Sequence, residues 1–431
     1  MTERIECQTP GCSATILPAT AAKTGGYCMP CHQEQQREEQ RIFIEQNRKE
    51  VDLYEEITDP VEVLRIMHTS RRYDPLIEYV PYPLNREQLY TALSLEEAER
   101  MQAYALELLE AGDEDTATEI LASLVCYSGK LLDNCWLELM EQNVYNPAIL
   151  FKDAPPSIRN LLLEKVEIHS GNRNPLLLAL AWIGDEAVVQ QFLEWRRAAP
   201  EWAQELYVTP ERYAQEAGWE LTAAGERRDL FARKNYAMER MDAPLEAGDQ
   251  ASEAFVTVSH QQCPWCGGQL TTLVELQKGH PALKEIAWDG ERLAVDTCVI
   301  CGSYSVIYME VDPAGTPFWS KHNQRPDYLP DINLDDYGQD YLAAGPLLST
   351  AESPRNTYHS AVWGIDPIVS QIGGHPSWVQ DAEYPVCPCC SHTMSFIAQL
   401  DWGQLEEYGE GIYYMFSCAK DRITATLYQQ S

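Results

Sequence analysis

Cys263-Pro-Trp-Cys266-Gly-Gly and, further along, Cys298-Val-Ile-Cys301-Gly are two CxxC knuckles in one chain. Each spacing lets two thiolates on one tight turn point at the same ion. The glycine after the second cysteine permits the left-handed backbone such a turn needs. Segments 255–259, 270–276 and 304–311 flank the knuckles and alternate with a two-residue period rich in β-branched and aromatic residues, which predicts strands. Strands on either side would bring the knuckles together as a zinc ribbon, with one tetrahedral zinc held by Cys263, Cys266, Cys298 and Cys301. A redox CxxC of the thioredoxin kind comes singly beside a βαβ pattern, which is absent.

Outward from the knuckles, two further cysteine clusters fall near the ends of the chain. Cys7, Cys12, Cys28 and Cys31 surround a loop containing Gly25 and Gly26. So short a segment buries too little apolar surface to hold itself together, and zinc would supply folding free energy, roughly 10–16 kcal/mol in small fingers. Cys387, Cys389, Cys390, His392 and Cys418 offer five candidates for four places. Cys387 and Cys390 have knuckle spacing, and His392 and Cys418 are expected to complete the shell. Two to three structural zinc ions are therefore expected. Cys126 and Cys135 lie on apolar helix faces and read as packing residues.

Between the clusters the period changes to 3.6 residues. Ser94 with Glu97 three positions on is a capping box, which satisfies free N–H groups at a helix start; Leu95, Ala98, Met101, Ala105 and Leu108 form the stripe behind it, and Gly112 ends it. Residues 117–125, 131–140 and 158–166 are also periodic. Segments 174–183 and 185–197 form a tight pair, with Pro175 at a first helical position, Gly184 as the break and Asp185 as the next cap. Thr209 and Pro210 start a further helix. The series resembles a short helical-repeat array of the HEAT kind. Residues 33–53, rich in Glu, Gln and Arg, suit an exposed helix. Segments 395–401, 412–418 and 423–428 read as strands. The expected fold is α+β and multidomain: a zinc finger over 1–35, a helical linker and helical-repeat-like domain over 36–250, a zinc ribbon over 251–315 and a β-rich domain over 316–431. The boundary is placed in the stretch 243–252.

The 431 residues carry 66 acidic against 32 basic side chains, a net charge of −34. That balance argues against a binder of the phosphate backbone, so no nucleic-acid partner is expected. No apolar run approaches the ~18 residues of a membrane span, and no export signal precedes the first cysteine cluster, so the protein is expected to be soluble and cytoplasmic, with no membrane partner. Thiols in a reducing compartment serve as metal ligands more readily than as disulfides. No phosphate-binding glycine loop, HExxH or nucleophile elbow occurs, and four-thiolate sites are coordinatively closed, so no enzyme is expected. Between Asn356 and Ala419 there is no Lys or Arg. Asp335, Asp336, Asp340, Asp381, Glu383, Glu406 and Glu407 are the candidate partner-binding residues. Aromatic residues such as Tyr328, Trp363 and Trp378 lie among them, a pattern suited to capturing a basic protein surface.

The stretch Gly373-Gly374-His375-Pro376-Ser377-Trp378-Val379-Gln380, the Cys387 cluster and Phe396-Ile397-Ala398-Gln399-Leu400-Asp401 together resemble the bacterial YwqG-like family, across residues 315–431. More remotely they are similar to programmed cell death protein 2-like proteins. Tyr213-Ala-Gln-Glu-Ala-Gly-Trp219-Glu-Leu with Gly225-Glu-Arg-Arg228 resembles a segment of the same bacterial proteins. The resemblance implies a β-rich fold used for protein contacts, often among immunity proteins encoded beside secreted polymorphic toxins. It leads to the expectation of a non-catalytic immunity protein that binds a cognate basic toxin domain, such as an ADP-ribosyltransferase or nuclease, and occludes its active site. The alternative is a zinc-binding assembly chaperone for a basic cellular protein such as a ribosomal protein.

Overall fold

A computed structural model describes residues 4–130, 132–168, 171–241, 252–337, 348–405 and 409–430. Both helices and strands are present, and the chain divides into two compact units, Met1–Leu89 and Tyr90–Ser431.

The first unit opens with a hairpin of Ile5–Glu6 and Thr15–Ile16, then the helices Pro18–Thr24 and Met29–Asn47. Both helices carry proline in their first turn, where a missing N–H costs nothing, and Gly25 ends the first in the left-handed region at φ 67°. Helix Met29–Asn47 buries none of its residues, as expected of the polar 33–53 segment. Its surface carries ion pairs, Arg41 bridging Glu38 and Glu45. Beyond it, Lys49–Val51 and Ile77–Tyr79 pair in parallel.

The second unit begins with helices. Ser94 caps Leu95–Glu110 through a complete capping box, with Ala98, Met101 and Ala105 buried along one face. Helices Glu114–Ser123, Trp136–Glu141 and Pro156–Ile168 follow. The pair Asn174–Ile183 and Glu186–Arg197 forms as its sequence predicts: Gly184 sits in the left-handed region and the Asp185 carboxylate accepts from the Val188 N–H. The segment from Pro210 forms a 3₁₀ turn, Pro210–Gln215, in place of an α-helix. The hairpin Trp219–Leu221 with Arg227–Asp229 then closes the end of helix Asn174–Ile183. The Trp219 indole donates to the Ala181 carbonyl, the Arg227 guanidinium donates to that of Gly184, and the same guanidinium lies 4.9 Å above the Trp219 ring. Helix ends leave carbonyls without partners, and a cation there also meets the negative end of the dipole.

Two antiparallel sheets make up the rest. One has three strands in the order Arg292–Thr297, Gln269–Gln277, Glu253–Gln262. The other has eight, in the order Pro317–Trp319, Ile307–Val311, Ile423–Gln429, Ile412–Cys418, Ser395–Asp401, Gln371–Gly373, Asn235–Arg240, Leu348–Thr350. Leu273, Leu293, Val295, Met238, Ile372, Leu400 and Met415 form a core shared by the two sheets. The far face of the large sheet packs Phe396, Tyr414, Phe416 and Leu427 with Trp378, whose ring stacks 4.6 Å from Tyr414. Strand Asn235–Arg240 joins the large sheet from a position before residue 250. The expected boundary stretch 243–252 falls almost wholly outside the described residues.

The Gly373-Gly374 pair makes a sharp turn. Both residues have positive φ, 67° and 70°, and a Cβ on Gly373 would lie 2.2 Å from the Lys234 carbonyl. The turn places His375 in the core, its ring nitrogens facing the carbonyls of Pro376 and Glu216 at 2.8 and 3.0 Å. Gln399 is buried and bonds backbone on both sides, accepting from Ser377 N–H and donating to Val369. Gln380 is exposed and donates to the carbonyl of Gln430.

Candidate metal centres

Three groups of side chains bring four ligand atoms within 4.8 Å of one another: Cys7, Cys12, Cys28, Cys31; Cys263, Cys266, Cys298, Cys301; and Cys387, Cys390, Cys418, Asp421. A tetrahedral zinc with Zn–S bonds of about 2.3 Å places its sulfurs about 3.8 Å apart. The sulfurs of Cys12 and Cys28 are 3.8 Å apart, those of Cys263 and Cys301 3.8 Å, Cys266 and Cys298 3.6 Å, and Cys390 and Cys418 3.7 Å. All three groups could hold zinc.

The second centre, which we term the core centre, joins two turns. Cys263-Pro-Trp-Cys266 follows strand Glu253–Gln262, and the Gly267 N–H donates to the Cys263 carbonyl with Gly267 at φ 77°. Cys298-Val-Ile-Cys301 follows strand Arg292–Thr297, and the Gly302 N–H donates to the Cys298 carbonyl. Cys263, Cys298 and Cys301 are buried, and Leu270, Ile307 and Met309 surround them. Four sulfurs this close cannot all be charged without a cation. The Cys266 thiol is pushed down by a hydrogen bond from Cys263, while Cys298 and Cys301 are pushed up, chiefly by Cys263. A divalent cation removes that conflict by binding all four as thiolates.

In the first centre the Cys28 N–H lies 3.2 Å from the Cys7 sulfur, and donation from that N–H pulls Cys7 down to about 6. The loop between the hairpin strands supplies Cys7 and Cys12, and the N-cap and first turn of helix Met29–Asn47 hold Cys28 and Cys31.

The third centre departs from expectation in one ligand. Cys387, Cys390 and Cys418 come together as expected, but the fourth member is the Asp421 carboxylate, 3.2 Å from the Cys387 sulfur and 3.4 Å from that of Cys418. His392 is exposed and stands outside the group; it contributes its carbonyl, which accepts from the Cys387 N–H. The reason lies in the turn. His392 follows Ser391, whose positive φ reverses the chain after the knuckle, whereas Asp421 sits on the turn between strands Ile412–Cys418 and Ile423–Gln429, directly opposite. The sequence carried a signal for it: Cys418-Ala-Lys-Asp421 repeats the knuckle spacing with a carboxylate in the last place. Cys389 is exposed, its sulfur 3.5 Å from His322 Nε2 and outside the group.

Cys126 and Cys135 are fully buried in the helical region, and burial pushes their thiols up to about 12 and about 11. They are packing residues.

Of the candidate partner-binding residues, Asp335, Asp381 and Glu383 are exposed, and no ion pair to them exists among the described residues. Asp340, Glu406 and Glu407 lie outside the described residues, as does the side chain of Asp336. Tyr328, Trp363 and Val386 are exposed large apolar groups in the same part of the chain. Two groups packed beside this region, the half-buried Glu216 and the buried His375, are pushed from their ordinary pKa values. Burial, with Asp381 nearby, pushes the Glu216 carboxyl up to about 7, although the Ala382 N–H donates to it. Burial pushes His375 down to about 4. No helix among the described residues is long and apolar enough to cross a membrane.

No family model matches this sequence, and no solved structure matches it. Over 435 residues, covering the whole of both chains, it is 39% identical to a Salmonella typhimurium protein described as "Uncharacterized protein YpfL".

Proposed function

The chain belongs to the family of the Salmonella typhimurium protein YpfL, and on the chemistry of its own surface we propose that it is a metal-stapled, non-catalytic binding protein that captures a basic protein partner. The reading is of an immunity protein whose partner is a cognate toxin domain, an ADP-ribosyltransferase or a nuclease, with its active site covered by this chain. The observation that carries it is the loop 380–386: Asp381 and Glu383 are exposed without an ion pair among the described residues, and Val386 stands exposed beside them. Opposite potential accelerates encounter, and exposed apolar groups hold the complex once formed. The knuckles of the core centre are read as a zinc ribbon, and the helices from Leu95 to Arg197 as a short HEAT-like scaffold. Residues 315–431, with their YwqG-like resemblance, are read as the recognition surface.

Co-expression with the product of the neighbouring reading frame tests this. The expected result is rescue of growth and a complex that survives gel filtration. Reversing Asp381 and Glu383 to Lys should slow association at least about tenfold at low salt, with the salt dependence reduced. A neighbour whose toxicity this chain does not relieve overturns the immunity reading. A growth defect on deletion in cells lacking any toxin, with a ribosomal protein bound, would establish an assembly chaperone instead.

A further inference from the structure

We propose that the third centre is an exchangeable metal site: a small anionic thiol enters the shell from the cavity beside Cys390 and Cys418, and Asp421 is the ligand it displaces. This inference is independent of the partner-binding reading.

The donor set comes first. Three thiolates hold a borderline-soft cation firmly, and a carboxylate is the hardest member of such a shell, the one a further thiolate replaces most readily. Placement points the same way. In the core centre three of four ligands are buried; in the third centre only Cys387 is, and Cys390, Cys418 and Asp421 are partly exposed. Cys387 and Cys390 are held by their own turn, closed by the Ser391 N–H donating to the Cys387 carbonyl, and Cys418 ends a strand paired on both sides. Asp421 belongs to the turn beyond that strand. Its carboxylate can swing away without breaking a strand pair, and it is partly exposed where three of the four core-centre cysteines are buried.

The cavity is the second, independent observation. A solvent-open space of about 450 Å³ is lined by Cys390 and Cys418, so it reaches the metal position from the side of two sulfurs. Arg228, His392, Ser417 and Lys420 also line it. Its carboxylates are already engaged, Asp229 with Arg227 and Arg233 and Glu285 with Lys234. One cation is free to act: Lys420 is exposed with no ion pair among the described residues, whereas Arg228 is paired with Glu220 and donates to the Thr393 carbonyl, with its buried Nε left without a hydrogen-bond partner. A cavity with the Cys390 and Cys418 sulfurs on one wall and the unpaired Lys420 ammonium on another fits a thiol that also bears a carboxylate. In the exchange the metal–oxygen bond to Asp421 breaks, a metal–sulfur bond to the incoming thiol forms, and the thiol proton passes to the freed carboxylate and on to water. No electron is transferred.

The test uses the full chain loaded anaerobically with Co²⁺, whose visible spectrum reports the number of thiolates in a tetrahedral shell, and two probes, mercaptoacetate and 2-mercaptoethanol. Wild type should bind a third equivalent of cobalt and show added sulfur-to-cobalt absorption as mercaptoacetate is titrated. Asp421→Cys should bind the same three equivalents, carry the added absorption from the start and no longer respond to thiol. Lys420→Ala should raise the half-saturating mercaptoacetate concentration about tenfold, the size of a lost charge-assisted contact, and leave that of 2-mercaptoethanol unchanged. A wild-type spectrum that neither probe moves, a thiol response that persists in Asp421→Cys, or a wild type that binds only two equivalents each overturns the proposal.

Discussion

The core centre and the third centre use nearly the same ligands for different physical work. The core centre sits at the joint between two sheets, beside the apolar core they share. Its two knuckles end strands of a three-stranded sheet, and the metal position is where that sheet meets the larger one. The Tyr413 hydroxyl donates to the Val299 carbonyl inside one knuckle, and the Thr297 and Thr426 hydroxyls bond each other across the joint at 2.6 Å. The third centre lies at the end of strands that are paired along their whole length and packed on Phe396, Tyr414 and Phe416. Metal at the first position holds a joint together; at the second it ties turns already fixed by a sheet. Identical thiolates therefore say little about stability until the packing behind them is known.

The largest break in this comparison is Cys298→Ser. With the ligands buried and the joint dependent on them, the loss should reach the order of 5 kcal/mol, a fraction of the binding free energy of a structural zinc. Thermal unfolding should show the three-stranded sheet melting separately and earlier. Cys390→Ser should remove one equivalent of zinc by elemental analysis and cost only about 1–2 kcal/mol, because the sheet beneath it remains. Equal destabilisation by the two variants would abolish the distinction.

A smaller effect separates the sheet from both centres. Glu216 is raised to about 7 in the folded chain, so the fold favours its protonated form, and its contribution to stability declines as pH rises from about 4.5 through 7. His375 has the opposite sign: lowered to about 4, it leaves stability complete above about 6.5 and erodes it as pH falls toward 4. The two slopes oppose each other between 4.5 and 6.5. With zinc saturating, Glu216→Gln should reveal a rise in denaturation midpoint up to about pH 6.5 and no decline beyond it, a difference on the order of 1–3 kcal/mol at neutral pH. An unchanged profile in Glu216→Gln would remove Glu216 from this account. An effect of comparable size, confined to more acid pH, is expected at Glu253. Burial opposes its charge, but His280, Thr350 and Ser349 outweigh burial and hold it at about 2. Its contribution is present above about 4.5 and lost as pH falls toward 2, and Glu253→Gln should flatten that acid limb in circular dichroism.

Local signals made the parts of this molecule legible and left their assembly unread. Ser94 with Glu97 and Pro175 with Gly184 and Asp185 specify helix ends by chemistry that needs no distant partner, and those ends lie where the sequence puts them. Strands 395–401 and 412–418 coincide residue for residue with the strands formed. Gln371–Gly373 and Leu348–Thr350 escape a sequence reading because they have three residues each, and Asn235–Arg240 because it owes its extended form to neighbours far away in the chain. The metal clusters were legible from spacing. Asp421 was not, because one carboxylate three residues after Cys418 does not stand out in a chain with 66 acidic side chains until the fold brings it to the sulfurs.

Strand Asn235–Arg240 lies in the sheet between Gln371–Gly373 and Leu348–Thr350, both made long after it, and the sheet's last strand ends at Gln429. On the ribosome, at about 5–20 residues per second, this segment emerges many seconds before any neighbour exists. The core centre's cysteines, by contrast, are all present by residue 301. Metal uptake can precede closure of the large sheet, so in a zinc-starved cell the nascent chain would keep both its thiols and an unpaired strand edge exposed together, the condition under which newly made chains aggregate.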